Sequence, residues 1–184
     1  MLDIVKAPSE VLSQVTKKVI KIDNSILSLI REMKETLENT RDPEGVGLAA
    51  PQVGKSLQIF IMKPTPKSPI TVHINPEIKN ASGELANMIR PKKSKSPAKL
   101  EGCLSLPSIW GTVLRHPYLS LTYMDEDSKT HTKKFKGFSA TIIQHEVDHL
   151  NGNLFPKRVL EQKGKLYKSH KNEKGEDEFD EIEI

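Results

Sequence analysis

With a single cysteine, Cys103, the chain cannot form an internal disulfide. That excludes a small core held by cross-links, and a lone thiol fits a reducing compartment. Long apolar runs are also missing. No stretch approaches the ~20 residues that a membrane span requires. The opening MLDIVKAPSEV has no apolar run and carries Asp3, so it reads as neither a signal nor a transit peptide. The expected location is the cytoplasm. Internal repeats are absent. The charge excess, +4, is too mild by itself to indicate a nucleic-acid enzyme. Gly45-Val46-Gly47 has neither the third glycine of a dinucleotide loop nor the Lys-Ser/Thr of a phosphate loop. What remains is a globular composition, 36% apolar over 184 residues, enough for one domain with a real core and marginal for two.

Within that length the periodicities are legible. Pro8 and Ser9 mark an early turn, after which Val11, Leu12, Val15 and Val19 are expected against the body of the domain. Ile26, Leu29, Ile30, Met33 and Leu37 recur at helical spacing, which predicts an amphipathic helix over 25–38, capped by Asp23 or Asn24. Leu57–Met62 reads as a buried strand, and Ile70–Ile74 as a second one stopped by Asn75-Pro76. Tyr118–Met124 and Thr130–Phe135 read as a hairpin around Asp125-Glu126-Asp127. A helix follows over Phe138–Leu150, with Ser139 as its expected N-cap and Gly152 just past its end. Ala140, Ile143, Val147 and Leu150 form one apolar stripe of this helix. Phe138 and Ile142 form another, continued by His145 and His149. Apolar on both sides, such a helix lies inside the domain, and buried histidines need partners. Two segments break the pattern. Arg90, Lys92, Lys93, Lys95 and Lys99 come without an intervening acid, a solvated basic insertion over about 86–99. Residues 164–184 are dense in charge and poor in apolar residues, an expected disordered or frayed helical tail behind a catalytic domain over 1–163.

The chemistry concentrates in Gln144-His145-Glu146-Val147-Asp148-His149-Leu150-Asn151-Gly152. Histidines four apart stack on one helix face, where both can hold one cation. Glu146 points to the side of that cation, within reach of a water but not of the metal, as in HExxH hydrolases. A hydrolytic site needs a third protein ligand. No His, Glu or Asp stands at the downstream spacing of known zinc helices, which leaves Cys103, in Glu101-Gly102-Cys103-Leu104-Ser105, as the candidate. A buried filler role is the alternative for that thiol. Gly45-Val46-Gly47-Leu48-Ala49-Ala50-Pro51-Gln52 carries so little side-chain bulk that its backbone can approach another element or a ligand.

These three segments, GVGLAAPQ at 45–52, EGCLS at 101–105 and QHEVDHLNG at 144–152, resemble in identity and order the motifs of the peptide deformylases. The resemblance covers the chain to about residue 160. It implies an α+β fold, with antiparallel sheets packed around a central metal-binding helix and an N-terminal amphipathic helix. It also implies removal of the N-formyl group from the initiator methionine of nascent polypeptides. One divalent ion per chain would be held by Cys103, His145 and His149. A ferrous ion is implied, and the charge donated by a thiolate suits it, though zinc or nickel fits the same donors. Glu146 would act as general base and then acid. The side-chain amide of Gln52 and the N–H of Leu104 would donate to the developing oxyanion. The peptide would run along Val46 and Gly102 as an added strand. Phe138 and Ile142, with Val46, would line the methionine pocket, and Gly47 would leave the close approach that a formyl carbon permits.

This sequence departs from the pattern in three places. The segment between Asn75-Pro76 and Glu101 is long. Trp110 stands where some members carry an arginine paired with the acid that is Glu44 here. The tail lacks the basic helix by which some members hold the ribosome, so a transient ribosome contact would fall to the basic loop instead. Asp148 points away from the metal, rotated about 60° from His145 and about 100° from His149. Inside the domain it needs a partner, and a bidentate pair with Arg115 is expected. A zinc peptidase or amidase on the same helix is the rival enzyme, and a non-catalytic peptide-binding relative the rival of another class. The latter normally lacks a ligand or the acid, and none is missing here.

Overall fold

Asp23 accepts hydrogen bonds from the N–H groups of Ser25 and Ile26, and so starts helix α1, Asn24–Asn39. The structure is a computed structural model that describes residues 1–40, 45–88, 90 and 99–183. After α1 come β1 (Gly47–Ala49), β2 (Ile59–Met62), β3 (Thr71–Ser82), β4 (Ala86–Asn87), β5 (Glu101–Cys103) and β6 (Leu106–Gly111). Then follow β7 (Leu114–Arg115), β8 (Tyr118–Met124), β9 (Thr130–Lys136), α2 (Phe138–Leu150) and α3 (Phe155–Glu161). The chain closes with β10 (Leu166–Lys171) and β11 (Asp177–Ile182). Pairing between these strands is antiparallel, in sheets ordered β1-β2-β3-β8-β9, β11-β10-β6-β5 and β4-β7.

The five-stranded sheet lies between the two long helices. Ile59 and Ile61 of β2 join Leu29, Ile30, Met33 and Leu37 of α1 in one core. Phe60 and Met62 join Leu119 and Leu121 of β8 and Ala140, Ile142 and Ile143 of α2 in another. A strand with no solvent side reads as an unbroken apolar run, which is why Ile59–Met62 does not alternate. A third core gathers Cys103, Val113, Phe155 and Val159 beneath the four-stranded sheet.

Four expectations need correction. Asn75-Pro76 does not stop β3. The register shifts between Ile74 and Glu77, and Asn75 takes φ 49°, its amide bonding both the N–H and the C=O of Val19. Pro76, which has no N–H to give, falls inside this irregularity, so the ladder continues. Ser139 is not the N-cap of α2. Gly137, at φ 58°, turns the chain directly from β9 into the helix. Val15 is 70% exposed, whereas Leu12 and Val19 are buried. The tail is ordered as the β10–β11 hairpin on β6. Its charges face one another across the strands, Lys165 with Glu181 and Lys171 with Asp177, while Leu166 reaches the third core. The basic stretch falls outside the described residues over 91–98, as does Glu44.

Candidate active site

Helix α2 carries His145 and His149 one turn apart, and β5 brings Cys103 against them. The Cys103 Sγ lies 3.3 Å from His149 Nε2, which lies 3.2 Å from His145 Nε2. The three donor atoms fall within 4.8 Å of one another. Glu101 accepts from His145 Nδ1–H at 2.7 Å, which leaves Nε2 as the free lone pair facing the other two donors. The sulfur accepts from the Ser105 N–H at 3.4 Å and from Gln52 Nε2 at 3.5 Å. One sulfur and two imidazole nitrogens converging on one point suit a borderline-soft divalent ion.

Glu101 had no role assigned from its sequence position, yet it anchors this arrangement. Arg115 donates to it through Nε at 3.2 Å and Nη2 at 2.6 Å, and reaches Asp148 only through Nη1 at 2.6 Å. The expected Arg115–Asp148 contact exists, but the two-pronged bond goes to Glu101. Asp148 takes its own fork from Arg158 of α3, through Nε and Nη2. A short strand places the Arg115 guanidinium between two acids on different elements, so one planar group serves both. Glu101, Arg115 and Asp148 are each no more than 6% exposed. Burial works against ionisation of Glu101, but Arg115 and His145 hold its carboxyl down at about 2.

Glu146 lies on the same helix and contributes no ligand atom to the cluster. It is 3% exposed, and its Oε2 has no hydrogen-bond partner among the described residues. Burial pushes its pKa up to about 7, against the opposing pull of His145. A Cβ on Gly47 would collide with this carboxylate, so β1 passes as closely as a main chain can. Gln52 is fixed from the other side. Its Oε1 accepts from the Ala49 N–H at 2.8 Å, which forces Nε2 toward Cys103 and Ser105.

The cleft beside this cluster is lined by Val46, Gly47, Gln52, Gly102, Leu104, Phe138 and Ile142, all singled out from sequence. Met88, Arg90, Trp110 and Thr141 line it as well and were not anticipated there. Arg90 lies over the Phe138 ring, 5.3 Å from its centre. Among the described residues, the cleft's two strand walls, β1 and β5, are each the last strand of their sheet.

The family model described as polypeptide deformylase matches residues 1–165. The chain belongs to the peptide deformylase family. It is 40% identical over 155 residues to the peptide deformylase of Chlorobium luteolum, covering 82% of this chain and 74% of that one. With the peptide deformylase of Borreliella burgdorferi it shares 35% identity over 175 residues, 95% of this chain and 98% of the relative. Among solved structures, the peptide deformylase of Synechococcus elongatus in complex with actinonin is 36% identical, with a TM-score of 0.73. That likeness covers 85% of this chain and 78% of the other. The Thermotoga maritima peptide deformylase is 32% identical, with a TM-score of 0.72, over 86% and 97%. Peptide deformylases are metal-dependent hydrolases, in keeping with the Cys103/His145/His149 cluster. The match to the peptide deformylase family model stops where β10 begins.

Proposed function

We propose that this chain removes the N-formyl group from the terminal methionine of nascent polypeptides, releasing formate and a free α-amine. The observation that carries the reading is the desolvated Glu146 carboxylate, one oxygen unpaired, beside the Cys/His/His cluster. The edges of β1 and β5, unpaired among the described strands, offer main-chain groups to a peptide lying between them along Val46 and Gly102. Phe138, Ile142 and Val46 receive the methionine side chain. Cys103, His145 and His149 would hold a divalent ion, which would supply Lewis acidity toward the formyl carbonyl and a water. Glu146 takes the proton from the attacking water and then passes it to the departing amine nitrogen. The C–N bond breaks as the proton arrives, so formic acid carries away the water oxygen and ionises to formate. Gln52 Nε2 and the Leu104 N–H donate to the oxyanion, and losing one such donor costs roughly 10²–10³ in turnover.

The ion is ferrous in this reading, and the substrates imply a cytoplasmic site of action with transient contact to the ribosome. Formate release from formyl-Met-Ala-Ser under anaerobic, ferrous conditions tests the activity. The acetylated peptide should stay intact. Comparable hydrolysis of both peptides would point instead to a general amidase. Turnover should fall on exposure to air, through oxidation of the iron or the thiolate. Activity indifferent to oxygen would indicate zinc or nickel.

A further inference from the structure

Trp110, the only tryptophan of the chain, joins the cleft to a hairpin that lies past the span of the family model. It stands opposite Gly102 across β5 and β6. Its ring occupies the space a Gly102 side chain would need, with ring atoms 2.7 Å from the position of a Cβ. The C-terminal hairpin holds it from the other side. The indole N–H donates to Ser169 Oγ at 3.1 Å, and the Phe179 ring meets the indole edge-on at 6.0 Å and 81°. Ser169 and Phe179 are directly paired across β10 and β11, so one cross-strand pair grips one indole. A polar contact at one end and an aromatic edge along the ring leave it little rotamer freedom.

The consequence for the cleft follows from strand geometry. A peptide added to the edge of β5 that no described strand covers places one of its residues beside Gly102. With no side chain at 102, the surface that residue meets is the indole of Trp110. We propose that the β10–β11 hairpin sets substrate preference through Trp110. Ser169 and Phe179 are positioning residues that hold the indole over Gly102, where it favours an apolar or aromatic side chain downstream of the formylated methionine. The inference rests on the deformylase reading and deepens it.

The test compares formyl-Met-Ala-Ser with formyl-Met-Phe-Ser and formyl-Met-Ala-Phe, using the full-length, iron-loaded protein. Wild type should prefer one of the phenylalanine peptides by roughly three- to tenfold in KM, the range of one aromatic contact. The double variant Ser169→Ala/Phe179→Ala should lose that advantage in KM rather than kcat. Its single-tryptophan emission should shift to the red and become more open to acrylamide quenching. Ser169→Thr and Phe179→Tyr, which keep the hydroxyl and the ring, should retain both the preference and the emission. Equal KM for all three peptides in wild type would overturn the inference, as would a preference that survives in the double variant despite altered emission. Unaltered emission in the double variant would overturn it too, since the pair would then not hold the indole. No formate from any peptide would sink the deformylase reading itself, a result distinct from these.

Discussion

A methyl group is the smallest side chain that could be added at Gly47, and the Glu146 carboxylate already fills its place. Gly47→Ala should therefore push the carboxylate out of line and lower formate release on the order of 10²-fold, with metal content unchanged. Unchanged turnover would mean that the carboxylate tolerates displacement and is not the proton carrier. Glu146→Ala removes the carboxylate altogether. It should retain the ion and lose roughly 10²–10⁴ in turnover, read by metal analysis beside the formate assay. At this scale the sequence is most informative. Two histidines four apart, an acid beside the first and one thiol declare their chemistry by type and spacing alone. Glu101 and Arg158 do not, because an acid next to a cysteine and an arginine in a short helix acquire roles only from what the fold sets opposite them.

Elements are held together here by buried charge as well as by apolar contact. Arg115 on β7 faces Glu101 on β5 and Asp148 on α2, while Arg158 on α3 also reaches Asp148. Arg115→Met leaves two buried carboxylates short of a cation, and about 3–5 kcal/mol of stability should be lost. An unchanged melting temperature would show the network to be dispensable. Glu101→Gln keeps the shape but weakens the hold on His145 Nδ1, and should lower metal affinity roughly 10–100-fold in a chelator competition. The elements themselves were unevenly legible. α1, α2 and the β8–β9 hairpin announce themselves through periodicity and an acidic turn. The run of β3 through Asn75-Pro76 does not, since a proline halts a ladder unless a bulge receives it, and the amide that steadies this bulge pairs with Val19, far away in sequence. The β10–β11 hairpin was hidden by composition. Charge of both signs reads as disorder until the register pairs lysines with acids.

For the molecule as a whole, His73 sets an acid limit. It is fully buried between Phe60 and Tyr123, and neither ring nitrogen has a hydrogen-bond partner among the described residues. Burial, helped by nearby Lys133, lowers its pKa from 6.5 to about 3. The unfolded chain thus binds a proton that the folded one refuses. Stability contributed by the neutral ring is present above pH 6.5 and is lost as pH falls from there toward about 3, at about 1.36 kcal/mol per unit. Urea midpoints between pH 6.5 and 4.5 should decline in wild type and decline less in His73→Phe; parallel curves would remove His73 as the cause. The Cys103/His145/His149 cluster bears on the same scale. Cys103 and His149 are 46 residues apart in sequence and belong to different layers, a strand and a helix. An ion shared by them is a tether in a protein that has no second thiol with which to make one. It closes a long loop and restrains the unfolded chain by about 3–5 kcal/mol if a disulfide of that span is the guide. Chelation should then do more than stop turnover: it should lower the unfolding temperature and let β5 and its edge work loose from the helix, so that the empty enzyme is the one a protease cuts first.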